Sequence, residues 1–478
     1  MVTNVGLFID GAWRAKGGGE AFDVSDPATG ETLYQSPAAS SADTLEAVAA
    51  AERGLAVWRA TPAWTRADVL HACAGVMERR TDEAAKQMVL ESGKPLAQAK
   101  REWALSVDQF RWHAEEARRI YGRIVESRAP GGRFEVLHEP IGVVAAFTAW
   151  NFPAVLIARK VAPALAAGCS IIVRPSNETP GVAMVLVDCL REAGLPKGIV
   201  NLVIGPTDAT YAPLMAAQAV RKVSLTGSTA VGRQMLRDAA ATLKKATMEL
   251  GGNAPCIVFA DSDVENTLDL CVPTKFANAG QVCVTPDRFY VHESLHDSFV
   301  AGFAKRAGAL KLGHGLDEAT QMGPLINQKR RDAIESIVAD ALKRGARVAS
   351  GGKRPAGFNK GWFYAPTVLA DVPDDAQALA EENFGPIAAI TRFSQEDEVF
   401  ERANSGDFGL SAYVFTRDSK RIRDAVARLE SGMVGVNSFA LAAAEAPFGG
   451  TRSSGMGREG GTEAIHDHLT TKLAQVSL

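Results

Sequence analysis

The 478-residue sequence predicts an α/β protein. Three observations carry that prediction. From Gly142 onward, short apolar β-branched runs alternate with amphipathic helical stretches, and a second alternation begins at Ala254. Hydrophobic residues make up 46% and charged residues 22% of the chain, enough apolar material for a full core. The length corresponds to roughly three domains at about 150 residues each. The formal net charge of −3 offers no positive field for a phosphate backbone, so nucleic acid is not an expected partner. The opening residues show no basic-then-apolar leader, and the most apolar stretch, residues 141–158, is interrupted by Asn151 and Pro153, so no membrane span is expected. Six dispersed cysteines (Cys73, Cys169, Cys189, Cys256, Cys271 and Cys283) read as reduced thiols of a cytoplasmic protein.

In chain order, residues 41–121 read as helix, with Leu45, Val48, Ala51, Leu55 and Trp58 recurring three and four apart. The break Ser127-Arg-Ala-Pro-Gly-Gly-Arg133, followed by the strand-like Phe134-Glu-Val-Leu-His138, predicts a hairpin arm. Strands are then predicted at 143–147, 170–173, 200–203 and 222–225, with helices at 155–166, 182–193 and 209–218 between them. The second alternation predicts strands at 257–259, 288–291, 348–351, 387–390, 412–415 and 435–437. Two α/β units in succession leave a cleft for ligands. The short apolar tail after Thr462 suits a sheet edge.

Four segments carry chemistry. Phe147-Thr-Ala-Trp150-Asn151-Phe-Pro153 follows an apolar strand, at the end where open α/β sheets place ligands. An asparagine there can offer its side-chain N–H to a developing oxyanion, although alone it reads first as a turn residue. Leu225-Thr-Gly227-Ser228-Thr-Ala-Val-Gly232 puts Ser228 near a helix N-terminus, where free N–H groups favour phosphate. It is neither G-x-G-x-x-G nor a Walker loop. Met248-Glu249-Leu-Gly-Gly252 holds a lone carboxylate whose apolar surroundings would raise its pKa toward that of a general base. Asn278-Ala-Gly-Gln-Val-Cys283 puts a cysteine after a polar glycine-containing loop, where nearby donors would lower its pKa and make it a nucleophile. Each of these also fits a structural role: a glycine turn, a surface carboxylate, an inert buried thiol. The eight histidines form no H-E-x-x-H or Cys/His cluster, so no metal is expected, and no G-x-S-x-G elbow marks a hydrolase.

Together these segments, in this order, resemble the aldehyde dehydrogenase superfamily. Phe8-Ile-Asp-Gly-Ala-Trp13, Glu382-Asn-Phe-Gly-Pro386 and Pro447-Phe-Gly-Gly450 extend the resemblance over essentially the whole chain. It implies a Rossmann-type nucleotide-binding domain (1–120 and 140–252), an α/β catalytic domain (253–445) and a small oligomerisation arm (121–139 with 446–478). An arm of that kind implies a homodimer or homotetramer. Cys283 would attack an aldehyde, Asn151 and the Cys283 backbone N–H would hold the oxyanion, and Glu249 would activate water against the resulting thioester. Glu382 would grip the nicotinamide ribose, Phe384 would pack beside the ring and Ser228 would touch the pyrophosphate. Trp150, Ser176, Gly205, Gly227 and Leu250 would complete the cofactor site. Lys160 would support the nearby strand and loop, with no catalytic role.

Within the superfamily the chain is most similar to succinate-semialdehyde and α-ketoglutarate-semialdehyde dehydrogenases. That similarity rests on Trp150-Asn-Phe-Pro-Ala154, Arg159-Lys160, Pro163-Ala-Leu-Ala-Ala-Gly168 and Gly455-Met-Gly-Arg-Glu459. Arg159 matches an arginine that binds a distal carboxylate. Two departures remove polar partners: Ala277 stands where many relatives carry an arginine, and Ala442 where they carry a serine. A larger or less polar aldehyde is therefore expected beside a semialdehyde. In Arg174-Pro-Ser-Asn177-Glu178 an asparagine replaces the glutamate that binds the adenosine ribose. Asn177 does not repel a 2′-phosphate and Arg174 could pair with one, so NADP is expected ahead of NAD. Two residues after the nucleophile stands Thr285 rather than a second cysteine, so no local disulfide switch is expected. A CoA-acylating dehydrogenase and a cysteine hydrolase or esterase on the same fold are the alternatives.

Overall fold

The computed structural model describes residues 5–477. The helical stretch resolves into four helices, Ser41–Ala60, Ala63–Arg79, Thr81–Ser92 and Leu96–Ala117. The first starts on a capping box in which Ser40 and Asp43 satisfy each other's backbone N–H. Val48, Ala51 and Trp58 are buried as their spacing predicts, whereas Leu45 is exposed. It lies roughly 120° around the helix from Ala51, outside the buried stripe.

An eight-stranded sheet runs in the order Ala12–Arg14, Leu7–Ile9, Val200–Leu202, Ser170–Arg174, Val143–Phe147, Val220–Thr226, Lys245–Glu249, Gly455–Met456. Its five central strands are parallel and its edges antiparallel. Val143–Phe147 is buried throughout, as a strand covered on both faces requires. The helix Val155–Ala167 is buried on every side, Arg159 and Lys160 included. Chain order runs outward one way from Val143–Phe147 and the other way from Val220–Thr226, so the switch point lies between these two strands.

A seven-stranded sheet follows: Arg347–Ser350, Thr367–Ala370, Ile387–Phe393, Pro286–His292, Ala254–Val258, Ser411–Phe415, Met433–Val436. It is parallel apart from its first strand. The expected arm is a three-stranded sheet in which Gly132–Pro140 pairs with Arg123–Glu126 on one side and Leu469–Ser477 on the other. Of residues 446–478, the strand Leu469–Ser477 joins this sheet. Gly455–Met456 instead pairs with Lys245–Glu249, because Gly455, with φ +135° and no Cβ, can lie against the Met248 carbonyl.

Candidate active site

Three adjacent parallel strands deliver side chains to one point. Val143–Phe147 ends just before Trp150 and Asn151, Val220–Thr226 ends at Gly227 and Ser228, and Glu249 is the last residue of its strand, level with Thr226. The second sheet contributes loops that precede strands: Cys283 before Pro286–His292, and Glu382 and Phe384 before Ile387–Phe393. These nine sequence-predicted residues, Leu250 among them, line one cavity of about 470 Å³.

The loops that carry Cys283 and Phe384 hold strained backbone. Asn278, Ala279 and Phe384 all have positive φ, at 48°, 54° and 46°. A Cβ on Gly280 would stand 2.1 Å from the Gly385 carbonyl, so the nucleophile loop and the Phe384 loop touch only because position 280 is glycine.

Cys283 is half-buried, and its thiol is pushed up to about 12 by burial and by the carboxylates of Glu249 and Glu382, with Arg159 opposing. This corrects the expectation of a thiol acidified by nearby donors. The resting sulfur holds its proton and needs a base. Its own backbone N–H faces it. Glu249 is 3% exposed, and burial followed by the neighbouring charge of Glu459 holds its carboxyl well above the usual carboxylate range. Among the described residues neither oxygen of Glu249 has a hydrogen-bond partner, nor does Asn151 Oδ1. Gly449 makes room for this carboxylate, since a Cβ there would lie 2.7 Å from Glu249 Oε1. Asn151 Nδ2 donates one hydrogen to the Gln281 carbonyl at 3.1 Å, which leaves its second amide hydrogen for a ligand.

The remaining walls suit a dinucleotide. Ser228 caps the helix Thr229–Ala240, accepting from the Val231 N–H, so the first turn of that helix presents N–H groups to an anion. Glu382 accepts from the Gly252 N–H at 2.9 Å, and burial pushes its carboxyl up to about 7. The rings of Trp150 and Phe384 meet edge to face at 5.5 Å.

Five expected residues lie outside the cavity lining. Arg174 is not free for a phosphate: its guanidinium donates to the carbonyls of Gly205 at 2.8 Å and Pro175 at 3.2 Å and to Thr210 Oγ1 at 3.3 Å. It holds together the turn it was expected to arm. Ser176 Oγ accepts from the Glu178 N–H, and Asn177 Oδ1 has no partner among the described residues. Arg159 is 4% exposed and stacks 4.0 Å from the Phe448 ring, its Nε unpartnered among the described residues. Phe448 packs with Leu410 and Met433, and with Cys283, Val284, Leu441 and Ala442, so one face of the thiol is apolar.

Sequence reasoning missed several groups at the site. Asn327, Lys329 and Arg330 line the cavity from the start of the helix Gln328–Lys343. Glu459 forms a buried ion pair with Lys160, which also donates to Ser224 Oγ at 3.1 Å. The signal for Glu459 was its place in Gly455-Met-Gly-Arg-Glu459; nothing local marked the others. No helix among the described residues is long and apolar enough to cross a membrane, and none of their His, Cys, Asp and Glu side chains group in a way that could hold a metal.

The aldehyde dehydrogenase family profile matches residues 13–474. The chain is 42% identical to the NADP(+) succinate-semialdehyde dehydrogenase of Escherichia coli, over 98% of this chain and 97% of that one. It is also 42% identical to a 4-(hydroxymethyl)benzenesulfonate dehydrogenase of Comamonas testosteroni, over 98% and 97%. A crystal structure of an NADP-dependent enzyme of Escherichia coli superposes with a TM-score of 0.98 at 41% identity, covering 100% of both chains. A thiol, a buried carboxylate and a free amide hydrogen at one cavity accord with these likenesses, and the chain belongs to the aldehyde dehydrogenase family.

Proposed function

We propose that this chain oxidises an aldehyde to a carboxylic acid with a nicotinamide dinucleotide, through Cys283. The carrying observation is that Cys283, the unpartnered carboxylate of Glu249 and the free amide hydrogen of Asn151 share one cavity. Cys283 Sγ bonds to the carbonyl carbon while its proton passes to Glu249, and the carbonyl oxygen becomes a thiohemiacetal oxyanion. The Asn151 amide and the Cys283 N–H donate to that oxyanion; losing one such donor costs about 3–4 kcal/mol in the transition state. A bound nicotinamide supplies the acceptor for the aldehyde hydride. Ser228 and its helix N-terminus fit the diphosphate of that cofactor, Glu382 its ribose, and Trp150 and Phe384 its ring. Once it has passed that first proton on to solvent, Glu249 takes a proton from the water that hydrolyses the Cys283 thioester, and the departing sulfur is reprotonated. A buried base without partners favours water over CoA as the acyl acceptor.

NADP is the preferred cofactor in this reading, with NAD usable. Asn177 carries no charge against a 2′-phosphate, and Glu178 beside it is bonded to Asn327. The similarity to the NADP(+) succinate-semialdehyde dehydrogenase of Escherichia coli supports the preference. The substrate is an aldehyde with an apolar or aromatic body and an anionic far end: the wall beside Cys283 is apolar, and Arg159 is a buried cation that forms no ion pair among the described residues, its charge acting at longer range on Glu249 and Cys283. Succinate semialdehyde fits the cation but leaves the apolar wall uncovered. The first sheet with its helices forms the nucleotide-binding domain, and residues 253–445 form the catalytic domain that carries the nucleophile. The exposed Ile124 and Leu473 of the arm support a homodimer or homotetramer. Six unpaired cysteines support a reducing, cytoplasmic location.

The test is absorbance of reduced cofactor with a panel of 4-formylbenzoate, benzaldehyde, hexanal and succinate semialdehyde, each with NADP and NAD. Turnover that is fastest on 4-formylbenzoate and absent in Cys283→Ala supports the reading. Turnover surviving in Cys283→Ala overturns the mechanism, and succinate semialdehyde as by far the best substrate overturns the substrate assignment.

A further inference from the structure

Directly behind the Asn151 turn lies a buried ion pair that takes no part in the chemistry above. Lys94 precedes the helix Leu96–Ala117 and Glu102 sits on it, each side chain 1% exposed. Lys94 Nζ pairs with Glu102 and donates to the backbone carbonyl of Asn151 at 2.7 Å, with the Phe152 ring 4.3 Å away. The other oxygen of Glu102 accepts from the backbone N–H groups of Ala154 at 2.8 Å and Val155 at 3.3 Å. It thereby caps the helix Val155–Ala167, whose N-cap residue, Ala154, has no side chain able to do so. The pair grips residues 151–155 at both ends. Asn278 Nδ2 adds a second donor to the same Asn151 carbonyl at 3.0 Å.

Burying two charges is costly, and an apolar pair would fill the same space. An apolar pair could not donate to one carbonyl and accept from two amides in the turn that carries the Asn151 side chain. Among the described residues that side chain is tethered through Nδ2 alone, so its direction depends on its backbone. We infer that Lys94 and Glu102 are positioning residues for the oxyanion donor Asn151, acting on turnover through the main chain of residues 151–155. The inference rests on the reading of Asn151 as that donor.

The experiment is the first-turnover burst of reduced cofactor in the full chain, measured by stopped flow in Lys94→Met, Glu102→Gln, Asn151→Ala and the Lys94→Met/Asn151→Ala double variant. Lys94→Met should slow the burst about 100-fold while aldehyde KM and cofactor Kd stay within about threefold. Glu102→Gln keeps an acceptor for Ala154 and Val155 and should lose about tenfold. On the Asn151→Ala background Lys94→Met should cost less than about threefold, because the group it aims is gone. An unchanged burst rate per folded molecule, or a loss that multiplies in full onto Asn151→Ala, overturns the inference. If Lys94→Met does not fold, Lys94→Arg and Glu102→Gln complete the same cycle. Failure of the underlying reading is distinct: Asn151→Ala would then keep its burst.

Discussion

Asn327 Nδ2 donates to Glu178 Oε1 at 3.0 Å, joining the turn after the strand Ser170–Arg174 to the helix that begins at Gln328. Asn327 also caps that helix through Oδ1, which accepts from the Arg330 N–H at 3.0 Å. The carboxylate nearest to Asn177 in sequence is therefore engaged with the opposite wall of the cavity.

Cofactor choice then turns on position 177. Asn177→Glu restores a charge against a 2′-phosphate and should lower the NADP-to-NAD ratio of kcat/KM by at least about tenfold. Glu178→Gln should move the same ratio less than about threefold. Steady-state kinetics with both cofactors decides, and an unchanged ratio in Asn177→Glu removes the assignment.

The pH profile should follow Glu249. A base must be deprotonated to act, and burial with Glu459 beside it holds this carboxyl above the usual range, so kcat/KM rises with pH through that raised value. Glu459→Gln removes the like charge, lowers the Glu249 pKa and shifts the rising limb toward acid. It also leaves the Lys160 ammonium buried without its counter-charge, at a cost of about 3–5 kcal/mol in stability by denaturant titration. In Glu249→Gln the first-turnover burst should slow, because the thiol loses its proton acceptor, and the acyl-enzyme that does form should persist as a mass increment on Cys283.

Arg159→Met keeps the bulk against Phe448 and removes the charge. The KM for aldehydes bearing a carboxylate or sulfonate should rise about 10- to 100-fold, while benzaldehyde stays within about threefold. Equal effects on charged and neutral aldehydes would show that Arg159 serves packing alone.

Ile124 and Leu473, 72% and 65% exposed, stand on the arm sheet. The double variant Ile124→Asp/Leu473→Asp should reduce the mass measured by light scattering to that of one chain, by placing charge where apolar side chains would be covered.

The central strands were legible because each is an apolar run short enough to be a strand: 143–147 matches its predicted bounds, and 170–173 stops one residue short of Arg174. Lys245–Glu249 was not, because its two ends are charged, one near the surface and one in the cavity. Gly455–Met456 was hidden because two residues become a strand only through a partner far away in sequence. At the site, local residue types beside glycine turns singled out Cys283, Glu249 and Asn151, but each also fitted a structural role, and their catalytic reading came from the family resemblance of the segments together. The ionisation of Cys283 was not legible, because it depends on carboxylates that only the fold brings near. The Lys160–Glu459 and Lys94–Asn151 contacts join residues 299 and 57 positions apart, beyond any local pattern.

Gly449 and Glu459 have a consequence for how activity is acquired during synthesis. The chamber around the Glu249 carboxylate is built partly from residues the ribosome adds last, although Cys283 and Asn151 emerge much earlier. A nascent chain arrested before residue 459 would thus carry its thiol without that chamber, and an aldehyde would add to it reversibly as a hemithioacetal without being oxidised.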